Sequence, residues 1–150
     1  MAPRRPAGGF TLVELVMVLV VVGALAAFAL PRMTDLTAWR LRAFADTLAA
    51  QSMAMQRLAL TQRRAVVATI EPTGVAFAYA AGGTLASLPC PAAASPCIAE
   101  ASTRSATFNA ANSGRTTTST GSALPVTVSG SGVTLAYQIE SETGLFRALP

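Results

Sequence analysis

The sequence predicts an α+β fold, on three observations. An uncharged apolar run opens the chain, a segment with helical spacing of apolar residues follows it, and from about residue 64 the apolar period drops to two. At 150 residues there is room for one domain beyond a terminal helix. Hydrophobic residues make up 52% and charged residues only 12%, and much of that apolar excess lies in residues 15–30, which carry no charge. The remainder is rich in Ala, Ser, Thr and Gly, as suits a small β domain with many turns.

Composition removes most enzyme classes. There is no histidine, so histidine-dependent acid–base or nucleophilic catalysis is excluded. The only cysteines are Cys90 and Cys97, too few for the usual metal-ligand sets, and no cofactor or metal is expected. All eleven basic residues are arginine. Two of them, Arg4 and Arg5, precede Phe10, and beyond that point nine arginines face seven acids. The sequence pI of 10.0 is therefore a weak argument for a nucleic-acid partner, which is not expected.

The chain begins Met-Ala-Pro-Arg-Arg-Pro-Ala-Gly-Gly, followed by Phe10-Thr11-Leu12-Val13-Glu14. Basic residues before an apolar run hold the N-terminus on the cytoplasmic side. An ordinary secretory signal would place its small-x-small cut after the apolar run, whereas here Gly8-Gly9 precedes it. A cut at that point removes the basic leader and keeps the helix. Residues 10–30 would be roughly 31 Å long at helical rise, just enough to span a bilayer core. A plain single-pass anchor is the alternative for this segment alone. Glu14 argues against it, because a lone carboxylate in a membrane helix costs on the order of a few kcal/mol. A freed Phe10 amine supplies a reason for it: Glu14 on a neighbouring, axially shifted helix would neutralise that charge and set the register.

Gly9-Phe10-Thr11-Leu12-Val13-Glu14 resembles the prepilin motif of type IV pilins and type II secretion pseudopilins. The resemblance covers residues 8 to about 33. It implies cleavage after Gly9 by a prepilin peptidase, methylation of Phe10, and helix-packed assembly in which Glu14 pairs with a neighbouring subunit. The implied partners are the peptidase, other pilin or pseudopilin subunits, an inner-membrane assembly platform and membrane lipid. The implied location is the bacterial inner membrane, with the C-terminal domain in the periplasm, and an envelope filament after assembly. The domain scheme is then a leader at 1–9, a transmembrane and assembly helix at 10–30, an amphipathic helix at 31–63 and a periplasmic β domain at 64–150.

Pro31 predicts a bend or local unwinding, since it removes a helical hydrogen bond and disfavours the α conformation at Leu30. Beyond it, Leu41, Phe44, Leu48, Met55 and Leu58 make an apolar stripe interrupted at Gln51 or Ser52, while Arg42 and Asp46 stand at i,i+4. Trp39 reads as core or as a membrane-boundary anchor, with core preferred. Residues 65–71 and 75–80 predict a hairpin around Pro72-Thr73-Gly74, and 125–129 and 133–139 a second around Gly130-Ser131-Gly132. Weaker strands are expected at 105–108 and 145–149. Residues 81–103 and 109–122 read as loops, the second a mobile Thr/Ser/Gly tract.

Ala29-Leu30-Pro31-Arg32, Gln62-Arg63-Arg64 and Glu142-Thr143-Gly144 are most similar to H-type minor pseudopilins and related minor pilins. That likeness implies a subunit that helps to initiate or cap a filament. A DNA-binding minor pilin of a competence or twitching pilus and a major filament subunit are the alternatives. The Gly144-Leu145-Phe146-Arg147 stretch only partly matches a DNA-uptake motif, and Arg104 and Arg115 read as solvated surface charge. For Cys90 and Cys97, redox chemistry or metal binding is opposed by their spacing. On the oxidising side of the membrane a structural disulfide is the favoured reading.

Overall fold

The computed structural model describes residues 11–29 and 36–150. The leader, the Gly9–Phe10 junction, Leu30 and the expected bend at Pro31 lie outside those residues. Two compact units are distinguished, residues 1–35 and 36–150. The first contains helix α1, Leu12–Ala29.

The second unit opens with helix α2, Leu36–Thr61, rich in Ala, Leu, Gln and Arg, all good helix formers. It stops at Arg63, which takes a left-handed φ of 50°, while the Arg64 N–H donates to the Ala59 carbonyl at 3.0 Å. This is the six-to-one closure of a Schellman end, with Arg where Gly is usual. Asn109, buried and also left-handed, donates from Nδ2 to the same Ala59 carbonyl at 2.9 Å and accepts the Gly114 N–H at 2.8 Å. One side chain thus caps the helix and roots the Thr/Ser/Gly tract.

Eight strands follow, all paired antiparallel. The five-stranded sheet contains β1 Val66–Glu71, β2 Gly74–Tyr79, β3 Thr84–Pro89, β4 Arg104–Phe108 and β5 Thr117–Thr118, in the order β3-β2-β1-β4-β5. The three-stranded sheet is β6 Leu124–Gly130, β7 Val133–Ile139 and β8 Phe146–Ala148 in sequence order. Glu71 faces Gly74 and Gly130 faces Val133, so both expected hairpins turn through two residues. The second turn has positive φ at Ser131 and Gly132, the combination that matches strand twist.

Alternation places Val66, Ala68 and Ile70 of β1 and Leu124, Val126 and Val128 of β6 in one core. That core also holds Leu41, Phe44, Ala45, Leu48 and Ala59 of α2. Tyr137 of β7 stacks on Phe146 at 5.1 Å between ring centroids. Its hydroxyl is held above the usual phenol range by burial and then by the charge of Asp46.

The α+β arrangement is as expected, with four differences. The sheet is split in two. The stretch expected as a loop at 81–103 contains β3, and that at 109–122 contains β5. Trp39 is 69% exposed and is no part of the core, because the buried positions Ala38, Leu41, Ala45, Leu48, Ser52 and Ala59 run to one side of it. Arg42 and Asp46 form no ion pair; among the described residues the pairs are Arg104–Glu100 and Arg147–Glu140.

Candidate functional site

Of the residues expected to act in processing and assembly, Gly9 and Phe10 lie outside the described residues, and Glu14 is the third residue of α1. Thr11 precedes the helix and caps it. Its Oγ1 accepts the Glu14 N–H at 3.3 Å, and its carbonyl accepts the N–H groups of Glu14 and Leu15 at 3.1 and 3.2 Å. Thr11-x-x-Glu14 is therefore the spacing of a capping box, with the carboxylate at the positive end of the helix dipole. Sequence reasoning read Glu14 only as a docking charge. The Thr-x-x-Glu pattern was the signal for a second, local role.

Glu14 shares one helix face with Met17, Val18 and Val21, which with it line a shallow groove. The other faces are no more polar. Large side chains all round α1 are exposed, from Leu12 at 77% through Met17 at 70% to Leu25 at 65%. A helix that is apolar on every side and exposed among the described residues is of the kind that lipid or other helices enclose. Its valines point the same way. They are indifferent helix formers in water, but where water is absent the backbone has no hydrogen-bonding alternative to the helix. Among the described residues no helix is long and apolar enough to cross a membrane. The 18 residues of α1 make about 27 Å at 1.5 Å each, while Phe10 and Leu30 fall outside the described part.

The remaining candidates have structural surroundings. Cys90 and Cys97 are joined by a disulfide. The Cys90 N–H donates to the Thr73 carbonyl at 2.8 Å, and the Cys97 and Ile98 N–H groups to that of Pro72 at 3.1 and 3.2 Å. On its other side the segment meets β6, where Ser129 donates to the Cys97 carbonyl at 2.8 Å and Ala99 to that of Thr127 at 2.9 Å. The bond therefore braces the β1–β2 turn against the three-stranded sheet. Arg104 is not solvated surface charge. It is 9% exposed, paired with Glu100 at 3.1 Å, and donates to the Pro125 carbonyl. Arg147 pairs with Glu140 at 3.2 Å. Arg115 is exposed in the Thr-rich tract.

Residues 4–30 match the family described as the prokaryotic N-terminal methylation motif. No curated protein and no solved structure matches the chain. The match spans Arg4 and Arg5, the Gly9–Phe10 junction, Glu14 and the whole apolar run to residue 30, and prepilin processing and assembly with other pilins are what this motif implies. On it, the N-terminal segment of the chain is similar to that of type IV pilin-like proteins.

Proposed function

We propose that the chain is a minor pilin or pseudopilin subunit of a type II secretion pseudopilus or type IV pilus. A prepilin peptidase cuts it after Gly9, Phe10 is methylated, and the subunit helps to initiate or cap the filament. The observation that carries the reading is α1, a helix exposed on every face whose single charge lies in the first turn. In a filament, neighbouring helices cover its apolar surface and Glu14 offsets the amine of an adjacent subunit, so the cost of an unpaired charge at low dielectric fixes the stagger. The minor-subunit part of the proposal draws on the likeness at Ala29-Leu30-Pro31-Arg32, Gln62-Arg63-Arg64 and Glu142-Thr143-Gly144. The DNA-binding alternative is weakened by the pairing of Arg104 and Arg147 with carboxylates, which takes two of its three arginines.

Quantitative immunoblotting of sheared filaments and inner membranes tests the proposal. A minor initiating subunit is scarce in the filament, yet its deletion abolishes assembly and trace re-expression restores it. Abundance equal to the main subunit would make it a major pilin. Normal assembly without it would remove the initiating role.

A further inference from the structure

The displaced tryptophan is the feature that the filament reading leaves over. Trp39 is 69% exposed and Leu36, one turn before it on the same side of α2, is 57% exposed, although buried Ala38 and Leu41 flank Trp39. Leaving an indole in water forgoes one of the largest apolar burials a side chain can make. Arg40 and Arg42 beside it are exposed too, and neither is in an ion pair among the described residues. No acid occurs between Asp35 and Asp46, so the first two turns of α2 are apolar and positive. An indole with arginines around it suits the layer where acyl chains meet phosphates. The ring takes the boundary, and the guanidinium groups reach the anionic oxygens over their own apolar stems.

Position along the sequence agrees. A bilayer core requires about 20 residues, and Trp39 follows the apolar run of residues 10–30 by nine residues. We infer that Leu36, Trp39, Arg40 and Arg42 form a membrane-surface patch, which seats the first turns of α2 in the lipid headgroup layer before the subunit enters a filament. This rests on the membrane-anchored reading of α1. The partner is phospholipid carrying anionic headgroups.

Trp39 is the chain's single tryptophan, so its fluorescence reports on this position alone. The full chain would be reconstituted at high lipid-to-protein ratio in phosphatidylcholine–phosphatidylglycerol vesicles, with bromine placed shallow or deep on the acyl chains. The expected result is stronger quenching by the shallow label than by the deep one, with shielding from aqueous iodide. Arg40→Gln with Arg42→Gln should lose part of that shallow quenching and raise the iodide access. A Trp39→Phe chain carrying Leu19→Trp reads the anchor independently. If position 19 is quenched by the deep label while Trp39 stays open to iodide, the inference is overturned and the anchor reading stands. Quenching at neither position would defeat both. Shielding of Trp39 from iodide without lipid quenching, growing with protein density, would mean that a second copy covers the patch, and would also overturn it.

Discussion

The Arg104 guanidinium lies 3.1 Å from the Glu100 carboxylate, and the two side chains together fasten β4 to β6. Arg104, at the start of β4, donates to the Pro125 carbonyl, while both oxygens of Glu100 lie within 3.0 and 3.1 Å of the Thr127 N–H. The link joins the two sheets, which share no strand pairing. Because Arg104 is the more deeply buried member, Glu100→Ala, which strands its charge, should cost more than Arg104→Ala. Removing one member of a buried pair costs about 3 kcal/mol or more, roughly 10 °C in Tm for a domain of this size. Thermal unfolding of the two variants reads the order. The reverse order would mean that packing of the guanidinium, not its pairing, holds the sheets.

Gly144 adopts φ 72°, and a Cβ placed there would stand 2.3 Å from Thr116 Oγ1 and 3.0 Å from Phe108 Cδ1. Gly144→Ala therefore combines left-handed strain of about 1–2 kcal/mol with an overpacking cost of about 1–3 kcal/mol. Adding Thr116→Ala should recover part of the second cost and none of the first, because the Phe108 Cδ1 contact at 3.0 Å remains. Chemical denaturation of both single variants and the double variant completes the cycle, and strict additivity would refute the clash.

Reduction of the disulfide should loosen a defined region. By chain entropy, closing the eight-residue loop contributes about 2.5 kcal/mol. The Cys90→Ala, Cys97→Ala double variant should lose that amount, with faster amide exchange at Ser129 and Ala99. Thiol counting on the exported chain under denaturing conditions should find none free.

Processing predicts a mature mass starting at methylated Phe10. Intact-mass measurement of membrane-extracted protein checks it, and a bulky replacement at Gly9 should leave precursor in the inner membrane. Retention of residues 1–9 would contradict the proposed cut.

Glu14 has two proposed roles, separable by substitution. Glu14→Gln keeps hydrogen-bonding capacity at the third helical position but removes the charge, whereas Thr11→Ala removes the cap, worth about 1 kcal/mol, and keeps the charge. If the carboxylate pairs with a neighbour's amine, Glu14→Gln and Glu14→Ala should both be processed normally yet fail to crosslink to partner pilins. The loss is on the order of a hundredfold, from about 3 kcal/mol. Thr11→Ala should crosslink nearly as wild type. Defects of equal size in Glu14→Ala and Thr11→Ala, with Glu14→Gln intact, would assign Glu14 to capping.

What the sequence made legible was whatever depends on periodicity or on a short, strict motif. The hairpins around residues 72–73 and 131–132 were readable because alternation and turn residues agree. β3 was not, since it lies between Gly82-Gly83 and Pro89 and its partly exposed residues do not alternate cleanly. β5 is two residues long and exists through its pairing with β4. The helix stripe was read correctly at Leu41, Phe44 and Leu48 and departs only at its end, where Ala59 is buried and Leu58 half-buried; Trp39, expected in the core, is exposed. Size and apolarity of single residues misled there, because the seven buried positions include three alanines and a serine. Arg104 misled for the opposite reason, since a charge enters a core only when Glu100, four residues earlier, comes with it.

The strap formed by Cys97, Ile98 and Ala99 has one more consequence. By pairing with Thr127–Ser129 it occupies the outer side of β6, a row of backbone donors and acceptors that would otherwise template strand addition by another chain. The strap is held at its root by the Cys90–Cys97 bond, so this protection matures with oxidation. A chain kept in a reducing compartment holds the strap by hydrogen bonds alone and is the more aggregation-prone form. On the proposed reading, oxidation after export secures this edge, and assembly is left to the helix instead of to stray sheet pairing.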